Sequence, residues 1–140
     1  MAGRNGDSAA ATRIRDAAIA AFAEVGYGAT STRQIAKRLD MSPAAMYPHF
    51  RSKEELLYAI ALDGHRGVLA ALRAADDPQT DFAARLRLVI AAFTRWQAEH
   101  HQLAKVVQYE MHGLTPAHYR AITRIRRDTV AEKPEQCGVV

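Results

Sequence analysis

A chain of 140 residues, 49% hydrophobic and 24% charged, has the profile of a soluble globular protein: one ordinary domain, or a small domain joined to part of another. No apolar run approaches the roughly 18 residues of a membrane-spanning helix, MAGRNGDSAAATR at the start lacks an apolar signal core, and the single cysteine, Cys137, excludes an intrachain disulfide, so a reducing cytoplasm is the expected setting. The net charge of +4 sits wholly in the first 53 residues, where eight Lys and Arg face four acids; the rest balances at 11 of each sign, the distribution expected if the first third alone meets a polyanion.

Residues 1–11, rich in Gly, Ala and Ser, read as a disordered tail. Apolar residues then recur at helical spacing through Ile14, Ala17/Ala18, Ala21/Phe22 and Val25, and Gly26 is the stop signal. A short second helix runs from about Thr32 to Leu39, with Thr30, Ser31 and Thr32 as alternative caps. Its Ile35, Ala36 and Leu39 face inward and Gln34, Lys37 and Arg38 outward. The third, Ser42–His49, has a serine cap and Pro43 at the first helical position, and Pro48 ends it. Ser52-Lys53-Glu54-Glu55 is a capping box that opens a fourth helix, carrying an apolar stripe to about Leu72.

Beyond it, RAADDPQT (73–80) reads as a loop. A fifth helix starts near Asp81 and carries Phe82, Leu86, Val89/Ile90, Phe93 and Trp96. A sixth covers roughly Gln102 to His112 and stops at Gly113, and Thr115-Pro116 opens a seventh through Tyr119, Ile122 and Ile125. Residues 129–140 have lost periodicity and read as an irregular tail. With no strand alternation and no repeat, the chain is all-α.

Three closely spaced helices with the charge excess on the second and third predict a helix-turn-helix module. A recognition helix need only slide its first turns into a DNA major groove about 12 Å wide, so it can be short. Ser42, Pro43, Ala44 and Ala45 bring the backbone close to base edges, where alanine methyls can touch thymine methyls. Tyr47 and His49 reach toward phosphates, and Met46 and Phe50 pack back into the module.

Residues 12–60, TRIRDAAIAAFAEVGYGATSTRQIAKRLDMSPAAMYPHFRSKEELLYAI, resemble the DNA-binding domain of the tetracycline-repressor-like (TetR) family of bacterial transcription regulators. The likeness lies in the Phe-Ala-Glu-x-Gly-Tyr turn, the Ala-Thr-Ser run, the Ile-Ala pair, the Ser-Pro-Ala-Ala-Met-Tyr helix and the His-Phe-x-Ser-Lys-Glu-Glu-Leu junction. The resemblance implies that Thr30, Ser31, Thr32 and Arg33 anchor phosphate and reach bases. It likewise puts Ser42, Pro43, Ala44 and Ala45 on bases, and Tyr47, His49 and Lys53 on phosphate. Pro48 departs from the bulky polar residue many members carry there.

The resemblance also implies a second, helical domain that binds a small-molecule effector and pairs two subunits, so that a homodimer grips a palindromic operator in double-stranded DNA and, as a repressor, is released by the effector. The expected division is 12–55 for DNA binding and 56–128 for an incomplete ligand-binding and dimerisation domain, because the chain stops soon after the Pro116 helix. Phe93, Trp96, Tyr109, Met111, His112 and Tyr119 form the candidate ligand-binding set.

Three other readings compete: a truncated, non-regulating fragment, a helical interaction protein, and a small metal-dependent enzyme. The six histidines (49, 65, 100, 101, 112, 118) form no i, i+4 pair of the H-E-x-x-H kind, and no G-x-S-x-G or phosphate-cradling glycine loop is present. Catalysis, a bound metal, a cofactor and a membrane partner are therefore not expected, and a bacterial cytoplasmic, nucleoid-associated regulator is.

Overall fold

The computed structural model describes the backbone of residues 3–131 and the side chains of residues 9–128. Seven α-helices follow one another: α1 (Gly3–Val25), α2 (Thr32–Arg38), α3 (Pro43–Met46), α4 (Lys53–Ala75), α5 (Phe82–Glu99), α6 (His101–Tyr109) and α7 (Pro116–Ala131), with a 3₁₀ turn at Met111–Gly113 before the last. No strand occurs among the described residues.

Local chemistry sets most boundaries. Of the three candidate caps for α2, Ser31 takes the position: its Oγ accepts from Gln34 N–H at 3.2 Å, and its own N–H donates to Gln34 Oε1 at 2.7 Å. Ser42 Oγ accepts from Ala45 N–H, Ser52 Oγ from Glu55 N–H and Asp81 Oδ1 from Ala84 N–H, so α3, α4 and α5 each begin on a side-chain cap. Three ends run past the expected limits. α1 reaches back through the segment expected to be a disordered tail, where Ala9, Ala10 and Ala11 are strong helix formers. Ala74 and Ala75 carry α4 past Leu72, and the remaining loop is closed by Arg85, whose Nε and Nη2 grip both Asp76 carboxylate oxygens at 2.8 and 2.7 Å. α7 continues to Ala131, and the rest of the expected irregular tail, with Cys137, lies outside the described residues.

α4 is the central element, packed against α1, α5, α6 and α7. Its Leu56, Leu57, Ile60 and Ala61 are fully buried, in one core with Ile14, Ala18 and Phe22 of α1, Ile35 of α2, Met46 of α3, Val106 of α6 and Ile122 of α7. Each large aliphatic residue in that core contributes about 1.5–3 kcal/mol. The core is continuous from the first three helices into the later ones, and the boundary expected at residues 55–56 falls inside the first turn of α4. Gly64 and Gly67 let neighbours approach α4 closely: a Cβ at 64 would lie 3.3 Å from Val107, and one at 67 would lie 3.3 Å from the Trp96 ring.

The apolar stripe of α5 does not all face inward. The helix turns the Arg85, Val89, Ala92 and Trp96 side inward, while Phe82, Leu86, Ile90 and Phe93 are exposed.

Candidate nucleic-acid interface

α2 and α3 are joined by a sharp turn in which Asp40 takes a left-handed backbone, φ 52°. Met41 N–H donates to Ala36 O and Asp40 N–H to Lys37 O, the paired bonds of a Schellman motif with aspartate where glycine is usual. This turn aims α3 away from the core. Met46, 3% exposed, pins one side of α3, while Ser42, Pro43, Ala44 and Ala45 stand exposed on the other. Regular helix ends at Met46, and the chain curls on with His49 N–H and Phe50 N–H both reaching Met46 O. Pro48, lacking an N–H, cannot continue the ladder. Tyr47 is 62% exposed, and His49 and Phe50 are half-buried.

A shallow concavity of about 450 Å³ is lined by the 28–32 turn at the start of α2 and by Arg51, Ser52 and Lys53 at the start of α4. The N-terminus of the long α4 opens on it, and its unpaired amide hydrogens favour an anion. Lys53 Nζ donates to Tyr27 O at 2.9 Å and sits 4.2 Å above the Tyr27 ring, which keeps its charge at the rim rather than in open solvent. Burial, aided by the Glu54 charge, raises the Tyr27 phenol pKa, so the ring stays neutral under the lysine. Arg33, Lys37 and Arg51 make no ion pair among the described residues, whereas Arg38 is tied to Glu24.

Thr30 departs from the expected phosphate-anchoring set. It is 2% exposed, and its hydroxyl donates to Gly26 O at 2.8 Å, because the turn leaving α1 needs that carbonyl satisfied. Its hydroxyl holds the turn, although the residue still lines the concavity. Ser31, Thr32 and Arg33 lie on the accessible side.

The later helices clamp this head. Glu110, just after α6, accepts from Tyr27 N–H at 3.2 Å, and Lys105 Nζ donates to Ala23 O at 2.8 Å. Glu54 in the first turn of α4 accepts from Thr115 N–H at 2.9 Å and lies 2.6 Å from His118 Nδ1, while the His118 ring stacks on Tyr58 at 3.8 Å. Burial acts to raise the Glu54 carboxyl pKa, but the bonds from Thr115 and His118 together outweigh it and hold the pKa below the ordinary range.

A second cavity, of about 580 Å³, lies among α4, α5, α6 and α7. Of the candidate ligand set, Phe93 and Trp96 line it. The other four do not. Tyr109 and Tyr119 stand on exposed helix faces, His112 is exposed in the 3₁₀ turn, and Met111, 7% exposed, belongs to the core. The periodicity of α6 explains the first of these: Val107 and Gln108 turn toward the cavity, so Tyr109 is carried round to solvent. No group of three or more His, Cys, Asp or Glu that could hold a metal occurs among the described residues, and no described helix is long and apolar enough to cross a membrane.

Residues 14–60 match the sequence model described as bacterial regulatory proteins of the tetR family, and residues 79–133 match that of a tetracyclin repressor-like C-terminal domain. The fold matches the crystal structure of a bacterial regulatory protein in the tetR family from Rhodococcus RHA1, with a TM-score of 0.83 and 53% identity over 86% of this chain and 63% of that one. This chain belongs to the TetR family. A second TetR-family structure, PfmR of Thermus thermophilus, is 33% identical with a TM-score of 0.78, over 84% of this chain and 63% of its own. Among curated members, the HTH-type transcriptional regulator UidR of Escherichia coli is 42% identical over 62 residues, covering 44% of this chain and 32% of UidR. The HTH-type transcriptional repressor Rv1474c of Mycobacterium tuberculosis is 33% identical over 88 residues, 54% of this chain and 47% of its own. The chain thus spans a third to a half of these curated relatives and just under two thirds of the solved structures.

Three positions of the candidate site were missed at the level of sequence. Arg51 lines the concavity beside Lys53, and only its place before a capped helix signalled it. Tyr27 and Glu110 act at a distance of 83 positions, which no local pattern announces.

Proposed function

We propose that this chain is a DNA-binding transcriptional regulator that acts as a repressor, gripping a palindromic operator as a homodimer and released by a small-molecule effector. The observation that carries the reading is the exposed Ser42–Ala45 turn, anchored from behind by Met46 and flanked by the basic concavity at the start of α4. In this reading α3 enters the major groove with its small residues against base edges. Tyr47, His49, Arg51 and Lys53, with Ser31, Thr32 and Arg33, meet phosphates on either wall. Small side chains at 43–45 offer few hydrogen bonds to bases, so part of the specificity rests on DNA shape.

Residues 12–55 form the reading head and 56–128 the responding part; the match of residues 79–133 to a repressor-like C-terminal domain supports the second assignment. The protein works in the bacterial cytoplasm, on the nucleoid, without catalysis. The clamp through Glu110, Glu54 and His118 is the route by which an effector among α4–α7 shifts the head, since a dimer must hold two heads about 34–36 Å apart. Sedimentation velocity with labelled DNA from upstream of its own gene tests the reading. Two chains per duplex at near-physiological salt is the expected result, and absence of a salt-resistant complex would reject it.

A further inference from the structure

The cavity among α4–α7 has an unusual charge arrangement. Val68, Leu72, Phe93, Trp96 and Val107 give it apolar walls, and its one formally charged lining group is Arg126 of α7. His65, 7% exposed, points Nδ1 at Ala61 O at 2.7 Å, so that nitrogen carries the hydrogen. Nε2 is then a bare acceptor and takes the Arg126 Nε–H at 2.7 Å. Burial, with the Arg126 charge, lowers the His65 pKa and keeps this tautomer neutral.

Two consequences follow for Arg126. Among the described residues its guanidinium is held through Nε, which leaves both terminal nitrogens and their four N–H groups as a planar fork. No carboxylate among the described residues pairs with it. A guanidinium beside apolar walls, open to solvent on one side, oriented by a neutral base and without a carboxylate partner among the described residues, complements an oxyanion on an apolar body.

We infer that this cavity takes an apolar ligand bearing one oxyanion, gripped by the terminal nitrogens of Arg126, with His65 as the positioning residue that holds the guanidinium. The inference rests on the reading of α4–α7 as effector-responsive and names the chemical class of that effector. Carboxylate and phosphate heads share this chemistry, and the test separates them.

Trp96 is the only tryptophan in the chain and lines the cavity, so its fluorescence reports occupancy directly. Titrations with decanoate, decyl phosphate and decan-1-ol, in wild type and in Arg126→Gln, form the experiment. At least one anion should bind about tenfold or more tighter than the alcohol, and Arg126→Gln should remove that preference while leaving decan-1-ol affinity unchanged. Which anion binds tighter assigns the head group. His65→Leu should reduce the anion preference without changing alcohol binding, and His65→Gln, whose Oε1 can accept from Nε, should restore most of it. Equal binding of anion and alcohol, a preference that survives Arg126→Gln, or no binding of any probe would overturn the inference. DNA binding of the probe-free wild type is measured in parallel: intact DNA binding beside an absent anion preference defeats the inference alone, and absent DNA binding defeats the regulator reading.

Discussion

Gly113 is the tightest point between the 3₁₀ turn and the reading head. A Cβ there would lie 2.5 and 2.6 Å from Cε1 and Cδ1 of Tyr27 and 3.0 Å from Leu57 Cδ2. Tyr27 has little room to yield: its ring packs edge-on to Phe22 with centroids 5.3 Å apart, and Lys53 lies on it at 4.2 Å. Gly113→Ala therefore displaces either the ring or the turn. Overpacking of this kind costs about 1–3 kcal/mol, and the reduced freedom of the unfolded alanine chain returns about 0.4–1 kcal/mol. A net loss of about 1–2 kcal/mol, or ~3–8 °C in Tm for a chain of this size, is expected in a thermal melt followed by circular dichroism. Tyr27→Leu should relieve the clash, making the double variant more stable than the sum of the singles by ~0.5 kcal/mol or more. A Tm unchanged or raised in Gly113→Ala would refute the claim that the turn and the head are rigidly docked.

Other expectations rest on separate features. Asp40→Gly removes left-handed strain worth about 1–2 kcal/mol and restores part of it as unfolded-state entropy, for a net gain of ~0.5–1 kcal/mol in chemical denaturation; a loss would mean that the aspartate side chain stabilises the turn. Arg51→Gln should leave Tm unchanged but lower the slope of log affinity against log salt by about 0.9, the value for one phosphate contact; an unchanged slope removes Arg51 from the interface. Glu54 has a folded pKa below its ordinary 4.5, so the stability it lends is present above that value and lost as pH falls through the folded one. The Tm gap between wild type and Glu54→Gln should accordingly be widest near neutral pH and close in acid, and a gap independent of pH would contradict the Thr115 and His118 contacts.

The reading head was legible in the sequence because its determinants are local. Serine caps, Pro43 and the Ile35-Ala36 pair act within one or two turns, and they recover α2 and the starts of α3 and α4 nearly to the residue, whereas α3 stops at Met46, short of the expected His49. Asp40 was not legible, since an aspartate is no signal for a left-handed turn in the way a glycine is. Thr30 looked like a surface cap and proved to be buried, because the Gly26 carbonyl it satisfies depends on how α1 ends. The second cavity was legible only in Phe93 and Trp96. Two of its polar members, His65 and Arg126, are 61 positions apart and meet only once α7 crosses α4.

The most direct test of the account is DNA binding by wild type and Ala44→Asp, measured by fluorescence anisotropy on the upstream duplex with melts run alongside. Ala44 is exposed on the front of α3, so a carboxylate there leaves the core untouched and faces the base edges with the wrong charge. Tight, sequence-specific binding by wild type, lost in Ala44→Asp at unchanged Tm, is the predicted result. Equal affinity of the two proteins would mean that α3 does not enter the groove.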